Sequence, residues 1–284
     1  MNDHARGATI AKLRLARRLG ELRVDRGYTA NQVCDRLGWG RGKVGRFEAN
    51  VWVRPELSDI RDLLRFYKAT EEEQTELVDL ASLARNRAWW RELSDVFDNE
   101  FAGYEADAAR IGSYVSLVIP GLLQTPSYME SLMRRGVKTS AWRSRAIRSR
   151  LRRQEILERT DGTAPEFAAV LTEGSLLYHW GTPAERRAQV EHLVEFARMP
   201  HIDIRVLRFA DGPHAGMSTG GINLFEFASP DPSIVFLEDD LSMRLVPDQK
   251  EVLIQIESFR RIQEAATDPV GTIAFLKKLA ETLE

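Results

Sequence analysis

The sequence has little that points to disulfide bonds or to a membrane. Cys34 is the only cysteine, so no internal disulfide is possible and a reducing, cytoplasmic setting is expected. No run reaches the roughly 18 consecutive apolar residues that a membrane-spanning helix needs. The N-terminal segment also lacks the continuous apolar stretch of a signal peptide. We therefore expect no membrane partner.

Patterns typical of catalysis or metal binding are also missing. The five histidines show no metal-type spacing with one another or with the cysteine. No G-x-S-x-G motif marks a nucleophilic serine. These absences predict a protein that is not an enzyme and that needs no metal or cofactor.

Charge is distributed unevenly along the chain. Residues 1–54 contain 12 Lys and Arg against 5 Asp and Glu, a net charge of +7, whereas the remainder has 28 against 37, or −9. A basic first fifth followed by an acidic remainder favours a polyanion-binding domain attached to a different kind of domain.

The segment GRGKVG, residues 40–45, matches the G-x-G-x-x-G pattern of dinucleotide-binding proteins. That site requires a strand before the glycines and a long helix after them. Here the preceding apolar or small positions 30, 33, 34 and 37 have helical spacing. Only the short segment KVGRFEAN follows Gly42 before Val51, too little for a crossover helix. The context excludes the dinucleotide interpretation.

The neighbouring segments predict about five helices within residues 1–85. A first helix with leucines at 15, 19 and 22 ends near Gly27, and a second begins at Thr29 as its N-cap. A short third helix, with Gly40 as its N-cap, directs Val44 and Phe47 inward and its basic residues outward. Two short helices joined by a glycine-containing turn, the second of them basic, are typical of a helix-turn-helix.

Residues 19–50, LGELRVDRGYTANQVCDRLGWGRGKVGRFEAN, resemble the Xre-type (Cro/repressor-like) DNA-binding domain. The resemblance implies an ion pair between Arg23 and Glu48 that ties the first helix to the third, and a packing role for Cys34. Two departures stand out. Ala30 replaces the family's usual glutamine, and Gly42 and Gly45 replace serines, which implies a loosely held recognition helix with a backbone that approaches DNA closely.

A recognition helix presents its N-terminal residues to base edges in the major groove. Arg41 is therefore the first choice for reading a base, and Lys43 for a base or a phosphate. The other candidates are better placed for phosphates, and the alternative is that all of them are ordinary solvated groups. The full set of predicted DNA-binding residues is Thr29, Asn31, Gln32, Arg41, Lys43, Arg46, Asn50 and Arg54.

Residues 86–284 predict an α+β domain with a small, mostly antiparallel sheet. Four segments read as strands: EFAAVLTEG, HIDIRVLRF, GGINLFEFA and SIVFLEDD. Helices are expected near 183–198, 247–266 and 269–283. The arginine-rich segment 143–153 is interpreted as a solvated face, with a second DNA contact or a surface for an acidic partner as alternatives.

A second resemblance covers nearly all of residues 86–284. PGLLQT (120–125), RRQEIL (152–157), IDIRVLRF with GPHAG (202–216) and GGINLFEF (220–227) are similar to the uncharacterised domain that follows an Xre-type head in actinomycete regulators. The resemblance implies a transcriptional regulator, often described as antitoxin-like, whose second domain binds a small molecule, a small protein or another copy of itself. Gln124 and His214 are the polar candidates to line a binding pocket.

Two hypotheses follow. The first is a sequence-specific transcriptional regulator that binds a palindromic operator as a homodimer and senses an effector or protein partner through its second domain. The second is an antitoxin-like protein that sequesters a small partner and contacts DNA to regulate its own operon.

Overall fold

The computed structural model describes residues 7–52, 54–86, 89–93, 95–96, 99–134, 136–218, 220–228, 231–238 and 243–283. The chain divides into two compact units, and the boundary in the sequence lies between Glu92 and Leu93. None of the described helices has the length and apolar character needed to cross a membrane.

The N-terminal unit is helical, as the sequence predicts. Its helices are α1 (Ala8–Asp25), α2 (Ala30–Leu37), α3 (Lys43–Glu48), α4 (Leu57–Phe66) and α5 (Glu71–Ala84). Apolar side chains from all five helices are buried, among them Leu15, Val33, Phe47, Leu64 and Leu77. Cys34 is also fully buried as a free thiol, which confirms its predicted packing role.

Local signals in the sequence set the bounds of α2. The Thr29 hydroxyl accepts a hydrogen bond from the Gln32 backbone N–H, and the Gln32 side chain accepts one from the Thr29 N–H. This reciprocal capping satisfies two backbone donors that a helix N-terminus leaves free. At the other end Gly38 adopts a left-handed conformation with φ of 67° and ends the helix.

The C-terminal unit combines seven α-helices with a six-stranded sheet in the described residues. The helices are α6 (Phe101–Asp107), α7 (Pro126–Arg134), α8 (Ser140–Gln154), α9 (Glu173–Leu177), α10 (Pro183–Phe196), α11 (Gln249–Ala265) and α12 (Pro269–Glu281). The strands are β1 (Arg110–Val115), β2 (Glu166–Thr172), β3 (Ile202–Leu207), β4 (Gly221–Glu226), β5 (Ile234–Glu238) and β6 (Met243–Leu245). The α+β prediction is confirmed.

The sheet is larger than expected and mixed. Its strand order is β3-β2-β1-β4-β5-β6. β1, β2 and β3 are parallel, whereas β1, β4, β5 and β6 form antiparallel pairs. The parallel half arises because α7 and α8 lie between β1 and β2, and α10 lies between β2 and β3. Connections of this length permit the crossover that parallel pairing requires.

The two faces of the sheet have different neighbours. Gly112, Tyr114 and their cross-strand partners face α11, where a Cβ on Gly112 would lie 2.9 Å from the Phe259 ring. Glycine is required there by this close approach. On the opposite face, Phe225 packs against Phe101 of α6, with ring centroids 5.0 Å apart. Successive side chains of β1 therefore point to opposite faces of the sheet and have different neighbours.

Candidate nucleic-acid interface

The turn that precedes α3 places Arg41 ahead of the recognition helix. Arg41 is exposed and lies one residue before Gly42, the actual N-cap, which has φ of 81°. The prediction that Gly40 caps this helix is therefore wrong, because the left-handed conformation at Gly42 starts the helix two residues later. Val44 and Phe47 are buried, as predicted, so α3 presents its other face to solvent.

The two glycines of α3 differ in a way that predicts opposite effects on stability. Gly45 has a helical backbone and open space around its missing Cβ, so Gly45→Ala should stabilise the protein by about 0.5–1 kcal/mol. Gly42→Ala should destabilise it by a similar or larger amount, because alanine is strained at φ of 81°. Urea-unfolding midpoints of the two variants test this difference. Equal shifts of the same sign would contradict it.

Lys43, at the start of α3, already has intramolecular partners. Its ammonium donates a hydrogen bond to the Asp59 carboxylate of α4 at 2.7 Å. The same nitrogen lies 4.1 Å from the centre of the Trp39 ring, a favourable cation–π distance. Lys43 can contact DNA only by giving up or sharing the Asp59 contact, and sequence reasoning did not identify Asp59 or Trp39 as its neighbours.

Removal of the Asp59 charge should strengthen DNA binding. Asp59→Asn weakens the contact that holds the Lys43 ammonium away from DNA, and it removes a negative charge beside α3. We expect up to about fivefold tighter binding, since a partly exposed ion pair is worth about 0–1 kcal/mol. Asp62→Asn is the matched control, because Asp62 pairs instead with Arg65 on the same helix. Fluorescence anisotropy with a labelled operator measures both, and weaker binding by Asp59→Asn would show that Asp59 positions Lys43 productively.

Thr29, Asn31 and Gln32 lie at the exposed N-terminus of α2. The capping hydrogen bonds use the Thr29 hydroxyl and the Gln32 side-chain oxygen, so these two residues first shape the helix. The Gln32 amide NH₂ and the exposed Asn31 side chain remain on the solvent side. Backbone N–H groups and polar side chains at such a terminus are suited to phosphate contacts.

Asn50 lies just beyond the C-terminus of α3 with φ of 59°, a conformation that asparagine tolerates better than most residues. Its side-chain oxygen is buried and has no hydrogen-bond partner among the described residues. Arg46 and Arg54 are both exposed. Among the predicted DNA-binding cations, Arg41, Arg46 and Arg54 are thus exposed, whereas Lys43 is half-buried.

The Arg23–Glu48 ion pair implied by the family resemblance is confirmed. The Arg23 guanidinium donates to both Glu48 carboxylate oxygens, at 2.6 and 2.8 Å, and to the Tyr28 carbonyl at 2.6 Å. Hydrogen bonding to Glu48 raises the pKa of Arg23. This bidentate contact joins α1 to the end of α3. It therefore fixes the recognition helix against the body of the domain.

The two candidate pocket residues of the C-terminal unit are not brought together. Gln124 is buried on the face of the sheet that carries Ser113, and its side chain donates to the Ile119 carbonyl at 2.6 Å. His214 lies beside Tyr114, which points to the opposite face. Its Nδ1 accepts a hydrogen bond from the Gly216 N–H. Gln124 lines a cavity of about 340 Å³, whereas His214 supports the conformation of its own loop.

The arginine-rich helix α8 is not simply a solvated face. Arg153 forms a bidentate ion pair with Glu105 of α6, at 2.6 and 2.8 Å, with the two side chains only 13% and 4% exposed. Arg150 donates to the Gln124 side-chain oxygen at 2.9 Å. The predicted solvated face is therefore wrong for these two arginines, because both of them contact buried acceptors. Arg148, in contrast, is exposed.

Comparison with known proteins gave two family matches. Residues 14–77 match a helix-turn-helix domain. Residues 99–278 match DUF5753, a domain of unknown function. No curated protein and no solved structure matched the chain.

Proposed function

Because the chain belongs to the DUF5753 family and carries a helix-turn-helix domain ahead of that domain, we propose that it is a sequence-specific transcriptional regulator of the Xre type. It acts in the cytoplasm by binding, without catalysis. Its N-terminal unit reads DNA and its C-terminal unit senses a small molecule or a protein partner.

One observation carries this proposal: a short helix with exposed cations that is fixed to its domain. Arg41 and Arg46 are exposed around α3, and the Arg23–Glu48 contact fixes that helix to α1. Major-groove recognition needs this combination, because a helix must present its N-terminal side chains from a firm support. Guanidinium groups are also the commonest readers of guanine.

We further propose that the protein binds as a homodimer. Helix-turn-helix proteins commonly bind two half-sites about one helical turn apart, so that operator symmetry matches protein symmetry. A single recognition helix that contacts a few base pairs offers limited specificity. A dimer doubles the contacts and gives a palindromic operator.

The experiment is selection of bound fragments from the genome of the source organism. The purified full chain is mixed with sheared genomic DNA, and the retained fragments are sequenced. We expect a few strongly enriched regions that share an inverted repeat. Retained fragments with no common motif would contradict sequence-specific binding.

The antitoxin-like alternative is favoured by one feature of the C-terminal unit. Leu117 and Tyr178 are 62% and 56% exposed beside a cavity of about 840 Å³. Clustered exposed apolar side chains suit a protein partner. Co-expression with any small protein that is encoded next to this gene tests it. A tight stoichiometric complex, together with binding to the chain's own operator alone, would favour this alternative.

A further inference from the structure

The cavity beside Gln124 has the size and lining of a small-molecule site. It lies on the sheet face opposite α11, and its volume of about 340 Å³ falls in the range of ligand pockets, about 300–1,000 Å³. That volume equals roughly eleven waters at about 30 Å³ each. Its walls are apolar at Val115, Phe167 and Phe225, and polar groups converge on it from β1, β4, β5 and α8.

The charges in this cavity are only partly compensated. Arg153 is neutralised by its bidentate contact with Glu105. Arg150 has one side-chain hydrogen bond, to the neutral Gln124 amide, and no carboxylate of the described residues forms an ion pair with it. Burial lowers the pKa of Arg150 to about 10. The Glu238 carboxylate, which lines the same cavity, attracts Arg150 but forms no direct ion pair with it. A buried guanidinium without a direct ion pair would still gain from pairing with an incoming anion.

Another cavity of the same unit differs in this respect. The cavity of about 700 Å³ at the start of β1 and β2 is lined by Arg110 and Glu166, which pair with each other at 2.6 Å. Arg260 also lines this cavity and pairs with Glu257 at 2.9 Å, so both of its guanidinium groups already have a direct carboxylate partner. Arg150 differs because it is buried and its hydrogen-bond partner is a neutral amide.

We propose that the cavity binds a small organic acid with an apolar body, whose carboxylate pairs with Arg150 and whose body contacts Phe167 and Phe225. This inference rests on the proposed sensing role of the C-terminal unit and names its ligand class. Planar carboxylates match the guanidinium through two parallel hydrogen bonds. Ser113 and Asn223, which are hydrogen-bonded to each other at 3.1 Å, add a polar patch to the wall.

Glu238 also lines the cavity and tunes its preference. Burial raises the pKa of the Glu238 carboxyl, and attraction to Arg150 opposes that shift. Glu238→Gln removes the repulsion between this carboxylate and an incoming one, and it also removes the carboxylate that attracts Arg150. The variant should bind a simple organic acid a few times more tightly than the wild type.

The test is calorimetric titration of the full chain with phenylacetate, indole-3-acetate and octanoate, each compared with its own primary amide. We expect at least one acid to bind with a Kd below about 1 mM and its amide to bind at least about tenfold more weakly. Arg150→Gln should lose at least about tenfold in affinity for the acid. Arg148→Gln, an exposed arginine on the same helix, is the matched control and should bind normally.

A second variant tests the proposal even if Arg150→Gln does not fold. Asn223→Asp preserves the side-chain shape and the acceptor for Ser113, yet it adds a carboxylate to the cavity, so acid binding should fall while the circular dichroism stays unchanged. No binding of any of the three acids at about 10 mM, equal binding of acid and amide, or unchanged binding by folded Arg150→Gln would each overturn the proposal. The titrations contain no DNA. If the genomic selection enriches a common motif but no acid binds, this inference alone is refuted. If an acid binds but the selection enriches no motif, the DNA-binding proposal alone is refuted.

Discussion

Glu105→Gln lowers the free energy of unfolding by about 3–5 kcal/mol. The substitution leaves the Arg153 guanidinium buried opposite a neutral amide, and an uncompensated buried charge is among the most destabilising single changes. Glu105 is 4% exposed and accepts both hydrogen bonds of Arg153, so it is the carboxylate that compensates the buried guanidinium. Urea unfolding of the full chain, followed by circular dichroism, measures the loss.

An exposed pair on α10 supplies the control. Glu191→Gln breaks the contact between Arg187 and Glu191, whose side chains are both about half exposed, and should change stability by less than about 0.5 kcal/mol. The double variant Glu105→Leu with Arg153→Met should be more stable than Glu105→Gln, because it removes both charges together. A loss below about 1 kcal/mol for Glu105→Gln would contradict the buried ion pair.

Arg41→Ala weakens operator binding by about 1–3 kcal/mol, or roughly 5–150-fold, and relaxes the preference at one base pair of each half-site. Arg41 is exposed just ahead of α3, where helix-turn-helix proteins contact base edges. A guanidinium that pairs with guanine through two hydrogen bonds discriminates against the other bases, whereas alanine does not. Selection from a library of randomised operators measures affinity and preference together.

The control for Arg41→Ala is Arg261→Ala, which removes the same charge from an exposed site of α11. It should leave both affinity and preference unchanged. A uniform loss of affinity in Arg41→Ala, with the base preference intact, would place Arg41 on a phosphate instead of a base. Unchanged binding would show that Arg41 is not part of the DNA interface.

The sequence predicts the N-terminal unit well because its signals are local. Apolar residues at helical spacing, a threonine cap at Thr29 and a glycine at Gly38 lie within a few residues of the elements they define. The Arg23–Glu48 contact is not local, and it was available only through the family resemblance. The start of α3 was misplaced because Gly40 and Gly42 are equally acceptable as caps by sequence, and only the backbone distinguishes them.

The sheet was harder to predict. Strand β1 was missed because Gly112 and Ser113 interrupt its apolar pattern, and both residues are explained by distant partners. Phe259 packs directly against Gly112, and Asn223 accepts a hydrogen bond from Ser113. The helix α10 between β2 and β3 indicates that these two strands are parallel, since a helix between two strands favours a crossover connection.

The roles of the charged residues depend on contacts between segments that are distant in the sequence. Arg153 pairs with a carboxylate 48 residues away, and Lys43 with one 16 residues away. No periodic pattern in α8 distinguishes Arg150 and Arg153 from the exposed Arg148. Packing alone decides which arginines are buried. The interpretation of the segment as a solvated face is therefore wrong for Arg150 and Arg153.

The most direct test of DNA reading is equilibrium binding to the DNA upstream of the protein's own gene, across a salt series, with a scrambled duplex beside it. We expect tight binding to the upstream DNA alone. For a homodimer its logarithmic salt slope should be about −5 or steeper, since Lys43, Arg46 and Arg54 of each subunit would each neutralise a phosphate. Equal, weak binding to both duplexes, repeated with the fragments retained from the genome, would contradict a groove-reading domain.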